Sequence, residues 1–320
     1  MSHLRRFKLP LFSFLLLGPL ALAHHPGPAP EHPTAALASA QDEKPAKVVR
    51  FTGIPTANTA DLEAKYRPLS KYLGEKLGVT FEYVPSADYN ASVDAFANGD
   101  LLLAWFGGFT GVQARKKVEG AQVIACGKVD RAYKSYFIAH KSLGLAKADT
   151  FPTTLAGKKF TFGSASSTSG RLMPEYFIRK ETKKTPKEFF GAENNYSGAH
   201  DKTLKLVEAG TFEAGVVDYK QYEKMVAEFQ KDPKSDKGID PDKVRIVWVT
   251  PAYVDYNFTA HPKLDEQFGA GFTQRLKAAL VGIKDEALLK ALDRPEGLVE
   301  ATNADFEVLV NVAKECGLAR

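Results

Sequence analysis

The chain has 320 residues, with 43 lysines and arginines against 38 acids and a formal charge of +5. The two signs are interspersed, which excludes the basic stripe of a nucleic-acid binder. Roughly 275 residues remain for folding once the termini are set aside, enough for two lobes rather than one.

Residues 1–23 carry Arg5, Arg6 and Lys8 ahead of an apolar run from Leu9 to Leu22, then Ala21-Leu22-Ala23. That is the pattern of a cleavable export signal, and the run is too short and too broken by Pro10, Gly18 and Pro19 for a transmembrane helix. A second possible cut follows Ala38-Ser39-Ala40, and no cysteine lies near either site to accept a lipid. The mature chain is therefore expected to be exported and soluble, with 40 basic and 38 acidic side chains, net +2. Residues 24–46 are rich in proline and histidine and read as a flexible leader. No metal site is expected there, because no acid or cysteine is spaced to complete one. Export also permits a disulfide between Cys126 and Cys316, but the sequence does not establish their proximity.

From Val48 onward strands and helices alternate, which predicts α/β lobes with largely parallel sheets. Val48–Ile54, Val79–Val84 and Leu101–Phe106 read as strands. Helices are predicted over Ala60–Leu77, Tyr89–Asn98 and from Thr110. Ser135–His140 reads as a strand leaving this first lobe. Lys159–Phe162, Ala214–Val217 and Val244–Val249 are strands of a second series, with helices from Leu172, over Asp201–Ala209 and over Tyr219–Phe229. Lys231–Asp242 reads as a charged surface loop. Ala252–Ala260 crosses back, and helices near 264–281, 285–292 and 302–315 pack on the first lobe. Lobe 1 is thus 47–138 plus 256–320 and lobe 2 is 139–255, with hinge motion expected near Ala139 and Ala252.

Chemistry concentrates in one stretch, Phe162-Gly163-Ser164-Ala165-Ser166-Ser167-Thr168-Ser169-Gly170. A strand runs into a row of hydroxyl residues and then into a helix start. Such a terminus exposes unpaired N–H groups and positive potential, and hydroxyls around it suit a small tetrahedral oxyanion. One serine would suffice for capping; four in a row exceed that need. Other strand-to-helix turns, at Gly53–Thr56, Gly107–Thr110 and Ser197–His200, would face the same cleft. No Gly-x-Ser-x-Gly elbow, Ser-x-x-Lys, His-Glu-x-x-His or nucleotide-binding Gly-x-x-x-x-Gly-Lys loop occurs, so a Ser/His hydrolase is the weaker alternative and no cofactor is implied.

Ala104-Trp105-Phe106-Gly107-Gly108, Ser166-Ser167-Thr168-Ser169-Gly170-Arg171-Leu172-Met173-Pro174 and Gly198-Ala199-His200-Asp201-Lys202-Thr203 together resemble the phosphate/phosphite/phosphonate branch of ABC-transporter substrate-binding proteins. The likeness covers about residues 47–262 and comes nearest to a subgroup described as putative selenate-binding. The resemblance implies a type II-like periplasmic-binding-protein fold, a cleft between lobes joined by two crossover strands, and no catalysis. It also implies a monomer that hands its oxyanion to an ABC permease in the inner membrane, or alternatively a receptor read by a membrane sensor.

Carried over by position, Tyr89 reaches the ligand from the second helix, or instead caps that helix and packs its ring. Ser167, Thr168 and Ser169 bind oxygens, and His200 donates from the next helix start. Phe106 walls the cleft, where many relatives have tyrosine. Asp255 is an acid on the returning crossover that would accept a hydrogen bond from a protonated oxyanion. Lys220 falls where an aminophosphonate binder would carry an acid, which disfavours an aminoalkyl tail. Arg171 is expected to face solvent or a neighbouring carboxylate rather than the ligand.

Overall fold

The computed structural model describes Gly27 and residues 47–318. The expected export signal and nearly all of the leader lie outside the described residues. Pro45–Arg320 forms one compact unit, and within it two sheets organise two lobes.

The first lobe is built on β1 (Val48–Gly53), α1 (Thr59–Leu77), β2 (Thr80–Tyr83), α2 (Tyr89–Asn98), β3 (Leu103–Phe106), α3 (Gly108–Lys117) and β4 (Gln122–Gly127). The second holds β5 (Ser135–His140), β6 (Phe160–Phe162), α4 (Met173–Thr182), α5 (Pro186–Phe190), β7 (Asn195–Tyr196), α6 (His200–Glu208), β8 (Ala214–Asp218), α7 (Tyr219–Lys231) and β9 (Val244–Val249). The chain then returns to the first lobe as β10 (Asn257–Ala260), α8 (Lys263–Phe268), α9 (Phe272–Val281), α10 (Glu286–Ala291), β11 (Leu298–Glu300) and α11 (Glu307–Glu315).

Both sheets are mixed. The first has the order β11-β4-β10-β3-β1-β2 and the second β7-β6-β8-β5-β9. β1 pairs in parallel with β2 and β3, and β6 with β7 and β8. The strands that enter a lobe from the other one, β5 and β10, run antiparallel to their neighbours. Those crossing strands, together with β11 antiparallel to β4, are why the expectation of largely parallel sheets fails.

The change of sheet also comes earlier than the sequence reading placed it. β5 pairs with β8 from Ser135 opposite Asp218 onward, so it belongs wholly to the second sheet. Ala139 sits mid-sheet, opposite Ala214 and Arg245. The first crossover is instead residues 128–134, while the second, residues 250–256, contains Ala252. They are tied to each other: Tyr133 and Tyr253 exchange backbone hydrogen bonds, and Asp255 N–H donates to the Asp130 carbonyl at 2.9 Å.

Local rules account for the elements that carry the cleft. Asn58 caps α1 by accepting from Asp61 N–H, and Gly78 closes it at φ 69. Leu62, Tyr66, Leu69 and Leu73 recur at helical spacing and are buried, while Pro68 is accommodated inside α1. Asp88 caps α2, so Tyr89 is not needed for that role. β4 reads Gln-Val-Ile-Ala-Cys-Gly, a buried strand the sequence reading passed over. The predicted helix over 264–281 is two helices, split by Gly269 and Gly271 at positive φ. Cys126 and Cys316 are both buried and unpaired, and burial pushes each thiol up to about 11.

Candidate functional site

The hydroxyl-rich turn forms one wall of the contact between the lobes. Ser167 is its cap: its Oγ accepts from Gly170 N–H at 2.9 Å, and its carbonyl accepts from Leu172 N–H at 2.9 Å. This opens the helix as a wide π turn over Thr168–Leu172 before α4 begins. Such widened turns recur at functional sites. Gly170 fits closely here: a Cβ would lie 3.0 Å from both His200 Cε1 and Ser167 Oγ, so a side chain would have to push both aside by a few tenths of an ångström. Thr168, at 1% exposure, sends its Oγ1 across to the first lobe and accepts from Phe109 N–H at 3.0 Å. Ser166 Oγ donates to Asn90 Oδ1 of α2 at 2.6 Å.

The opposite wall is the start of α3. Its cap, Gly107, offers no side chain; a Cβ there would start 3.1 Å from Thr168 Oγ1 and 3.4 Å from Asp255 Oδ1. The unpaired amides of this terminus are met from outside the helix. Gly108 N–H donates to Asp255 Oδ1 at 3.0 Å, and Phe109 N–H to Thr168. Asp255 is 1% exposed and its Oδ2 makes no hydrogen bond within the described chain. Burial, only partly offset by Gly108 N–H and Thr168, raises its carboxyl to about 7. Tyr89, also 1% exposed, brings to the same region a hydroxyl without a hydrogen-bond partner. Burial and then the charges of Asp218 and Asp255 raise that phenol well above its ordinary value.

His200 stands at the first turn of α6, fully buried. Asp218 grips both of its nitrogens: the Asp218 N–H donates to Nδ1 at 3.3 Å, and Asp218 Oδ2 lies 3.4 Å from Nε2. Ser169 Oγ is 3.5 Å from the same Nε2, and its carbonyl accepts from Ser135 Oγ at 2.7 Å. A nucleophile–base–acid relay needs the serine and the carboxylate on opposite ring nitrogens. Here both face Nε2, which argues against the hydrolase alternative.

Phe106 stands apart from this group. Successive strand residues point to opposite faces, and the Phe106 ring packs edge-on against Phe96, 5.5 Å between centroids, inside the first lobe. Its neighbour Trp105 faces the cleft instead, stacked on Tyr256 at 5.8 Å. Arg171 does not face solvent: it is buried in an ion pair with Glu175, donates to Tyr196 Oη at 2.8 Å, and lies over the Phe162 ring.

Sequence reasoning missed three groups. Asp218 caps α7 by accepting from Gln221 N–H at 2.7 Å and also accepts from Tyr256 Oη at 3.3 Å. Its strand-to-helix position, Val217-Asp218-Tyr219, is the same signal that marked the other turns. Tyr253 and Tyr256 flank Asp255 in sequence, and the Tyr253 hydroxyl reaches Ser135. Arg294 holds Asp130 in a two-point pair, Nε–Oδ2 2.6 Å and Nη2–Oδ1 2.8 Å, beneath the rings of Trp105, Tyr133 and Tyr256. Nothing in the sequence around residue 294 announces that role.

Toward solvent the cleft opens into a cavity of about 320 Å³ between Thr56, Lys65 and Asp293 of the first lobe and Gln221 and Lys224 of the second. Asp61 of α1 spans it, 3.7 Å from Lys224 Nζ and 3.4 Å from Lys237 Nζ. On another edge Arg179 Nη2 donates to the Cys316 carbonyl at 3.4 Å. Among the described residues no group of histidines, cysteines and acids is arranged to hold a metal, and no helix is long and apolar enough to cross a membrane.

A family model described as "ABC transporter, phosphonate, periplasmic substrate-binding protein" matches residues 51–306. Over 280 residues, 86% of this chain and 91% of the relative, the sequence is 37% identical to "Probable ABC transporter phosphite binding protein PhnD1" of Prochlorococcus marinus (strain MIT 9301). It is 28% identical over 290 residues to "Phosphate-import protein PhnD" of Mycolicibacterium smegmatis, covering 85% of this chain and 86% of that one. The solved structure of the Prochlorococcus PhnD1 in complex with methylphosphonate superposes with a TM-score of 0.75 at 33% identity, over 85% of this chain and 99% of that one.

Proposed function

This chain belongs to the phosphonate family of periplasmic substrate-binding proteins of ABC transporters, and on that premise we propose that it captures a small phosphorus oxyanion bearing a proton, of the phosphite or short-phosphonate kind. Export to the periplasm by residues 1–23 and delivery to an inner-membrane permease are part of the same reading.

The observation that carries it is Asp255. One carboxylate oxygen is committed to Gly108 N–H; the other is buried without a partner. A carboxyl group that titrates near 7 can share one proton with a guest. Phosphorus oxyanions exchange a proton near neutral pH, whereas sulfate and selenate are fully deprotonated there and bring only acceptors to a carboxylate. The surrounding groups supply the donors: the hydroxyls of Ser167, Thr168, Ser169 and Tyr89, the Nε2 side of His200, and the start of α3. Charge-assisted hydrogen bonds are worth roughly 1.5–3 kcal/mol each, so five or six would offset closure and desolvation and leave the ~8 kcal/mol of a micromolar receptor. Tyr89 and the start of α3 come from the first lobe and the rest from the second lobe or a crossover, and all are buried, which favours a compact ligand without a long tail. The relatives described above are named for phosphite, phosphate and methylphosphonate, and the selenate expectation has no counterpart among them.

Calorimetric titration with phosphite, methylphosphonate, phosphate, sulfate and selenate tests the reading. Phosphite or methylphosphonate should bind at least tenfold more tightly than sulfate and selenate. Equal or tighter binding of selenate would overturn it.

A further inference from the structure

Three carboxylates are buried around the cleft, those of Asp130, Asp218 and Asp255. Arg294 is committed to Asp130 through two hydrogen bonds and spends a third on the Asp293 carbonyl. Among the described residues neither Asp218 nor Asp255 has a lysine or arginine within ion-pair distance; the only basic group at Asp218 is His200. A buried carboxylate is costly unless donors surround it. Asp218 has two, Gln221 N–H on Oδ1 and Tyr256 Oη–H on Oδ2, and the Nε2 of His200 lies 3.4 Å from Oδ2. Its own N–H meanwhile points at Nδ1 of the same imidazole. A nitrogen that accepts from a backbone N–H carries no proton, so the ring proton belongs on Nε2. Nε2 is the nitrogen that faces Ser169.

We propose that Asp218 is the positioning and charge-selecting residue of this site. It fixes His200 with its proton on Nε2, aimed at the Ser169 side of the cleft, and it sets a second negative charge against any guest. The first part rests on geometry alone; the second rests on the oxyanion reading above. A guest anion shares the Nε2–H donor with Asp218 and meets a carboxylate there as well as at Asp255. Selection against a divalent acceptor-only anion is thus built into two acids, one on a crossover and one at the start of α7. Such discrimination by placed repulsion is a standard route to specificity.

The test uses the full mature chain and Asp218→Asn. Asparagine caps a helix as well as aspartate does, so α7 keeps its start while the charge and one acceptor oxygen, that facing Tyr256 and His200, are lost. Titration with phosphite and with sulfate at one fixed pH should show the sulfate affinity of the variant rising about tenfold relative to its phosphite affinity. An unchanged phosphite-to-sulfate ratio, with both affinities falling together, would mean a purely structural role and overturns the charge-selecting half. Nitrogen-15 spectra of the wild-type histidines, with His200 assigned through His200→Gln, should place the His200 proton on Nε2. A proton on Nδ1 overturns the positioning half, whatever the chain binds. If wild type fails to bind phosphite while Asp218→Asn gains sulfate binding, the phosphorus reading falls and the role of Asp218 stands. If neither protein binds either anion, charge selection falls with it.

Discussion

Replacing Thr168 by valine removes one hydroxyl and nothing else of consequence, since the two side chains have nearly the same shape. In the lobe-apposed state that hydroxyl accepts from Phe109 N–H at 3.0 Å, and both residues are at most 2% exposed. Valine leaves the amide buried without a partner, which costs about 1–3 kcal/mol. When the lobes part, water can reach the same amide, so the penalty falls on closure rather than on folding. The stranded amide alone should therefore lower affinity for the oxyanion by about 5- to 150-fold, the equivalent of 1–3 kcal/mol, and loss of the Thr168 donor proposed for the anion adds to it. The melting temperature without ligand should move far less. Titration calorimetry gives the affinity, stopped-flow mixing should place most of the loss in the dissociation rate, and melting curves with and without ligand separate the two states. Thr168→Ser keeps an acceptor at the same place and should stay within a few-fold of wild type. A valine variant with native circular dichroism and an affinity within twofold of wild type would refute the reasoning.

Asp255→Asn should alter the pH dependence of stability. Its carboxyl is raised to about 7, so between about 4 and 7 the folded chain holds a proton that the unfolded chain gives up. The stability this confers is complete below about pH 4 and is lost as pH rises through 7, at most roughly 4 kcal/mol for three units at 1.36 kcal/mol each. Wild-type melting temperature should therefore fall from pH 5 to pH 8 more steeply than that of the asparagine variant; parallel curves would contradict this. Arg294→Met strands the Asp130 carboxylate and should cost about 3–5 kcal/mol in chemical denaturation, most of it regained in Asp130→Asn/Arg294→Met; a double variant no more stable than the single one would speak against it. Asp61→Asn removes an exposed tie across the cleft mouth and should weaken ligand binding by no more than about fivefold, an effect that disappears at 1 M salt. A salt-independent loss would show that Asp61 acts otherwise.

The alternation of strands and helices, the two-lobed plan and the hydroxyl turn were legible because each rests on local pattern. A strand followed by small hydroxyl residues and a helix start carries its own chemistry, and Ser167, Thr168, Ser169 and His200 do meet in one buried region. Two failures share another cause. Sheet membership of Ser135–His140 depends on which partners it finds, Asp218 to Ala214 and Val249 to Val244, and neither is near in sequence. Phe106 and Trp105 differ by one residue, and the face each occupies is fixed by the register of β3 against β1 and β10. Arg294 was invisible for a related reason. It reaches Asp130 across 164 residues, from a turn in which Asp293 adopts φ 55.

The bond between Phe109 N–H and Thr168 has a bearing on how cargo leaves. On the proposed reading two components of the grip, the start of α3 and the hydroxyl turn, sit on different lobes and hold each other as well as the anion. On that reading, whatever pries α3 away from residues 166–170 would dismantle the receptor and unlock its jaws in the same stroke. Unloading would then require no chemical change in the passenger and no competing solute, only leverage. A docking partner that wedges the two bodies apart would act as key and recipient at once.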